Sequence, residues 1–267
     1  MGVLDEIVAR TRSDLAERRI AVPVGTLEDR LDAVAPPRPL LPRLREGFGA
    51  ICEVKRSSPS KGALAPIPDP AALAGEYAAG GAAAISVLTE PHRFGGSLDD
   101  LVAVRRAVDV PVLRKDFLVD PYQIIEARAA GADIVLLIVA ALSDADLRAL
   151  YALARSLDLT VLVEAHTAAE VDTAVELGAR LVGVNNRDLQ TLQVDLAQFE
   201  TLAGRVPAGI VKVAESGIFT AADVARLVSA GADAILVGEA LVRHGSPAQQ
   251  VATFTAAGRA ATTTPTA

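Results

Sequence analysis

The chain has 267 residues, 51% of them hydrophobic but only 3% aromatic and none of them Trp, so a sizeable core must be built from Ala, Val, Leu and Ile. A formal charge of −7 argues against an electrostatic nucleic-acid binder, and the longest strongly apolar run, 134–142, is too short to span a membrane. A single Cys excludes an internal disulfide framework, and Asp5 and Glu6 near the start are unlike a signal peptide; the expectation is a cytoplasmic enzyme or binding protein.

Residues 3–19 read as an amphipathic helix with Leu4, Ile7, Val8 and Leu15 on one stripe. Thr26-Leu27-Glu28-Asp29 resembles a capping box opening a second, short helix. Pro36-Pro37-Arg38-Pro39 and Pro42 then force an extended connector. Residues 1–45 are thus expected to form an N-terminal helical extension packing on the rest, as a lid, as a cap over one end, or as an oligomer contact.

From residue 50 a regular alternation sets in. Apolar strands are expected at about 51–55, 83–88, 110–114, 133–138, 160–164, 181–185, 210–214 and 234–238, with helices between them. Asp69-Pro70, Asp120-Pro121 and Ser246-Pro247 each place an N-cap before a Pro at the first helical position. Ser143, Thr167 and Thr220, each followed three residues later by an acidic residue, are capping-box-like. A Gly-Ala pair recurs at Gly81, Gly131, Gly178 and Gly231, about every 50 residues and before every second strand. Eight strands alternating with helices on a near-constant period predict the α/β class and a (β/α)8 TIM barrel with an extra N-terminal helical segment. The barrel is expected over 46–257, and the Ala/Thr-rich residues 258–267 are expected to be a disordered tail.

Active sites of this fold lie at the C-terminal ends of the strands. Those ends carry Glu53 and Lys55 from the first, Lys115 from the third, Glu164 from the fifth, Asn185 and Arg187 from the sixth and Glu215 from the seventh. Strand alternation puts Glu53 with Lys55, and Lys115 with Phe117, on one face, while Cys52, Arg114 and Asp116 take the other. One Glu–Lys pair alone is equally well a structural ion pair. Five strands converging polar groups on one mouth are not readily explained that way, because buried charge is costly unless paired or used. Ser216-Gly217 and Gly238-Glu239 end the seventh and eighth strands, the usual phosphate site of the fold. No dinucleotide fingerprint or P-loop is present. His92, His166 and His244 are scattered, with His166 placed in a capping turn, so no metal ligand set is assigned.

Glu53 to Gly62, Leu88-Thr89-Glu90, Phe94 to Ser97, Leu113 to Phe117, Leu136-Leu137-Ile138, Val163-Glu164, Asn185 to Leu189 and Ala214 to Ile218 together closely resemble indole-3-glycerol phosphate synthase. The first of these segments is highly specific, and together they run in order through most of the chain. The family also carries a helical segment before its first strand. Position 239 is Glu where some members have Ser. The resemblance implies ring closure of a carboxyphenylamino-deoxyribulose phosphate, with loss of CO2 and water, and no cofactor. It implies Lys115 as the acid on the ketone oxygen, Lys55 and Glu164 for the dehydration, and Glu53 as the partner of Lys55. It implies substrate contacts from Ser58, Asn185, Arg187 and Glu215, and an enclosure of the aromatic ring by Phe94 and Phe117 with Leu136 or Leu137. Phosphate contacts fall to Ser216, Gly217, Gly238 and Glu239. The expected partner is a small phosphorylated substrate, with no nucleic acid or membrane, and the expected state is a monomer or weak homodimer. Phosphoribosylanthranilate isomerase, a Schiff-base aldolase and a non-catalytic barrel are the alternatives. The first would need a Cys facing the mouth, and the second a Lys commonly on the sixth strand, where Asn185-Asn186-Arg187 stands.

Overall fold

The computed structural model describes residues 2–188, 191–243 and 245–262; Leu189, His244 and the segment 263–267 lie outside the described residues. Eight strands form the barrel: β1 (Gly49–Val54), β2 (Ala84–Leu88), β3 (Val112–Lys115), β4 (Ile134–Ile138), β5 (Thr160–Ala165), β6 (Leu181–Asn185), β7 (Val211–Glu215) and β8 (Ala234–Val237). All neighbours pair in parallel, and the ring closes through β1 against β8. Three helices precede it: α1 (Val3–Ala21), α2 (Val24–Leu31) and α3 (Leu41–Arg45). The outer ring comprises α4 (Pro70–Ala79), α5 (Leu98–Ala107), α6 (Pro121–Ala129), α7 (Asp144–Ser156), α8 (Ala168–Glu176), α9 (Ala197–Leu202), α10 (Ala221–Ser229), α11 (Glu239–Val242) and α12 (Pro247–Thr262). This is the (β/α)8 barrel with an N-terminal helical segment that the sequence predicts.

Period-two alternation sorts the strand side chains into two cores. Ile51, Leu113, Leu136, Leu162 and Val213 fill the barrel interior. Cys52, Val54, Val135, Leu137 and Val163 pack outward beneath the helices. Asp69, Asp120, Ser143, Thr167 and Thr220 each accept a hydrogen bond from a backbone N–H of the first helical turn, as their sequence positions predict. Gly81, Gly131, Gly178 and Gly231 all have φ between 80° and 96°, a backbone conformation that favours Gly over any residue with a Cβ.

The N-terminal extension runs from one end of the barrel to the other. Val3, Leu4 and Ile7 of α1 lie over the C-terminal ends of the strands. Leu15 and Leu27 pack with Val119 and Tyr122 at the side. Leu40, Leu41 and Leu44 belong to the interior core, and Leu44 lies against Gly49 at the start of β1. The segment thus has residues packed at both ends of the barrel and along its side.

Two expectations are corrected. The second helix starts at Val24 behind Pro23, without a side-chain cap, rather than at Thr26. Thr26 already donates its N–H to the Pro23 carbonyl at 2.9 Å and so sits inside the first turn. The last helix continues through Thr262, so 258–262 are not a disordered tail. Gly258 is buried against the Phe48 ring at a spot where a Cβ has no room.

Candidate active site

The ends of β1, β3, β5, β6 and β7 place Glu53, Lys115, Glu164, Asn185 and Glu215 on the interior face, at one end of the barrel. Lys55 and Arg187 follow two residues beyond Glu53 and Asn185, so they share that face. All seven line a single cleft, about 1180 Å³ of open space out to its rim.

At its floor, Lys115 Nζ donates to Glu164 Oε2 at 3.0 Å and lies 3.8 Å from Glu215 Oε2. Asn185 Nδ2 donates to Glu164 Oε1 at 3.1 Å, and the Arg187 amide fixes Asn185 by donating to its Oδ1 at 3.0 Å. Lys55 pairs with Glu53 beside them. Burial works against the charge on Lys115, but Glu164, Glu215 and Glu53 outweigh it, and the ammonium is held well above its ordinary range. Burial also opposes the charge on Glu164, yet Lys115, His166 and Asn185 hold it as a carboxylate. Glu215 goes the other way: burial and the Glu164 charge push its pKa well up despite Lys115. Two carboxyls on one ammonium are thereby driven apart, one charged and one inclined to keep its proton. Among the described residues Glu215 Oε1 has no hydrogen-bond partner.

Gly183 of β6 explains how Glu215 fits. The Glu215 carboxyl lies across it, and a Cβ there would collide with Glu215 Oε1 and meet Leu162 Cδ1 at 3.2 Å. Gly183→Ala should therefore displace the carboxyl and lower kcat/KM by about a hundredfold, the usual cost of an ångström-scale misplacement. Steady-state kinetics alongside a circular dichroism spectrum matching the wild type would check this.

The apolar wall comes from Phe94 and Phe117, whose ring centroids are 6.1 Å apart, with Leu136. Leu137 is not part of it. It is fully buried under the helices, because β4 places residues 134, 136 and 138 inward and 135 and 137 outward. Ile138 and Leu88 line the cleft instead. Phe94 is held by Glu90, whose carboxylate accepts from the amides of His92 at 3.0 Å, Arg93 at 2.7 Å and Phe94 at 3.0 Å. Neither Ile138 nor Glu90 is singled out by charge parity, since one is apolar and the other lies beyond its strand.

Ser216 and Gly217 follow β7 with φ of 67° and 80°, a sharp left-handed turn. Gly217 is also pressed by Val194 and Leu196, so a side chain fails there on space as well as on φ. With Ser58, Gly238 and Glu239 these residues also line the cleft, Gly238 close beside Glu53. The Glu239 carboxylate is paired with Lys61 at 2.6 Å and with Arg243. Its charge is thus offset where an anion is expected. Arg187 gives one N–H to the Leu192 carbonyl at 2.9 Å. Among the described residues no group of three His, Cys, Asp or Glu is placed to hold a metal ion. Cys52 faces outward, fully buried, with its thiol pKa pushed up by burial.

His166 is the ionisable group that sequence parity missed. It stands two residues after Glu164, with Nε2 at 3.3 Å from Glu164 Oε1 and Nδ1 at 3.3 Å from Glu170 Oε2. Burial opposes its charge, but Glu164 and Glu170 outweigh this and raise its pKa to about 9. A raised histidine pKa stabilises the fold below the unfolded value of about 6.5 and loses that contribution as pH climbs through about 9. Urea unfolding at a series of pH values should show stability falling across that window, less steeply in His166→Gln. Parallel curves for the two proteins would contradict it.

The family model for indole-3-glycerol phosphate synthase matches residues 4–254. An indole-3-glycerol phosphate synthase of a Nocardioides species is 62% identical over 92% of this chain and 95% of its own. Indole-3-glycerol phosphate synthase 1 of Streptomyces coelicolor is 55% identical over 97% and 96%. Among solved structures, 3-hexulose-6-phosphate synthase from Salmonella typhimurium superposes with a TM-score of 0.65 at 17% identity, covering 78% of this chain and 97% of that one; that likeness shows the barrel fold alone. With a family match over nearly its whole length, and relatives aligned end to end, the chain belongs to the indole-3-glycerol phosphate synthase family.

Proposed function

We propose that this protein is an indole-3-glycerol phosphate synthase, converting 1-(2-carboxyphenylamino)-1-deoxyribulose 5-phosphate to indole-3-glycerol phosphate, CO2 and water. The observation that carries the reading is the Lys115 ammonium poised between Glu164 and Glu215 in a cleft that also has an aromatic wall and is lined by Gly217 and Gly238.

The sugar-phosphate lies along the cleft, with its phosphate at Ser216, Gly217, Gly238 and Glu239 and its anilino ring between Phe94, Phe117 and Leu136. Lys115, charged throughout the working pH range, protonates the ketone oxygen as the aromatic carbon attacks it. The ring carboxyl then leaves as CO2 and its electron pair restores aromaticity, so the substrate is its own electron sink. Lys55, oriented by Glu53, protonates the departing hydroxyl, and Glu164 takes the ring proton. Glu215, keeping its proton, donates to the substrate beside Asn185, while Arg187 and Ser58 steady its polar groups. The reading carries with it a cytoplasmic enzyme that works as a monomer or weak homodimer. No helix among the described residues is long and apolar enough to cross a membrane.

The test is the rise of indole fluorescence when purified protein meets the deoxyribulose phosphate, with EDTA present. Turnover is expected. No product, with isomerisation of phosphoribosylanthranilate instead, would replace this reading by the isomerase.

A further inference from the structure

His166 is a buried imidazole with no place in the steps above. Its backbone is fixed twice: the amide donates to Glu170 Oε2 at 2.8 Å, and the carbonyl accepts from the Gln198 side-chain amide. Glu170 in turn is held by the Thr167 cap of α8. The ring is thus set by α8 and α9 rather than by the cleft, where it is not a lining residue. Its Nε2 is buried and lies at an ion-pair distance of 3.3 Å from Glu164 Oε1, and among the described residues it makes no hydrogen bond. Glu164 Oε1 therefore sits between Asn185 and the imidazole, and Oε2 on Lys115. The groups facing the ring are Glu164 from β5 and Glu170 from α8, with neutral Gln198 from α9.

We propose that His166 is a positioning residue for the base: an imidazolium anchored on Glu170 that fixes the Glu164 carboxylate and keeps it ionised when substrate draws Lys115 away. The assignment of Glu164 as the base rests on the proposed synthase reaction; the ion pair does not. Lys115 is the other cation on Glu164. Once its proton moves toward the ketone oxygen, Glu164 loses that charge partner while buried beside Glu215. A second cation behind it, out of reach of the substrate, stops Glu164 from collecting a proton too early.

The experiment uses the full chain. It holds three histidines, so the imidazole C–H resonance missing from His166→Gln identifies residue 166 in the NMR spectrum. That resonance should titrate near 9, and in Glu164→Gln it should move down by a unit or more. In kinetics, His166→Leu should lower kcat by roughly tenfold or more, a part of the 10²–10⁴ a general base supplies, with KM within about twofold. His166→Gln, which keeps a polar N–H beside Glu164 but no charge, should recover part of that loss. An imidazole titrating at its ordinary pH, one indifferent to Glu164→Gln, or a Gln variant no better than Leu overturns the proposal. If wild-type protein makes no indole product while the titration behaves as described, the ion pair stands and the synthase reading is what fails.

Discussion

Lys115→Ala should lose about two to four powers of ten in turnover, the range typical of a lost general acid. The variant also strips Glu164 and Glu215 of their shared ammonium, and both are buried. Glu164 keeps the imidazole of His166 beside it, but ring closure precedes the step that Glu164 serves, so adding Glu164→Gln should cost little more. Single-turnover measurement of indole formation separates this from weaker binding. Near-wild-type turnover would remove Lys115 from its role.

Arg114→Met should be strongly damaging to the fold although it substitutes no cleft residue. Arg114 is fully buried on the face of β3 opposite Lys115. It is 2.9 Å from both Asp116 and Glu126, and donates to the Gln123 carbonyl at 3.0 Å and to Thr89 at 3.2 Å. Asp116 also accepts from the Phe117 amide at 2.8 Å, and Gln123 donates to the Phe117 carbonyl at 3.0 Å. The cluster thus sets the loop that carries the aromatic wall. Removing the cation leaves Asp116 short of its main partner, while Glu126 keeps Arg18. A loss of about 3–5 kcal/mol is expected, read from urea unfolding, as for other broken buried ion pairs. A loss below about 1 kcal/mol would mean that the cluster relaxes into solvent.

Both residues were placed on their correct faces by alternation alone, because β3 mixes charge with apolar residues and each charge reports a face. β4 gives no such report. Ile134 to Ile138 is apolar throughout and buried on both sides, so the sequence left Leu136 and Leu137 as alternatives, and only the strand register decides for Leu136. His166 has the parity of Glu164, which was a usable signal. It was overridden by the capping turn that does follow at Thr167. The eight strands and the glycine-ended helices were legible since each is local chemistry repeated. The end of α12 was not, because Gly258 is fixed by Phe48, more than 200 positions away in sequence.

The central claim is that Lys55 and Lys115 serve one molecule whose phosphate rests at the glycines of the same cleft. A crystal structure with the reduced, non-cyclising analogue of the deoxyribulose phosphate tests it most directly. The account predicts phosphate oxygens on the backbone amides around Gly217 and Gly238, the anilino ring between Phe94 and Phe117, and both ammonium nitrogens within hydrogen-bond reach of the sugar chain. An analogue seated with only one of the two lysines in reach, or with its phosphate away from those glycines, would contradict it.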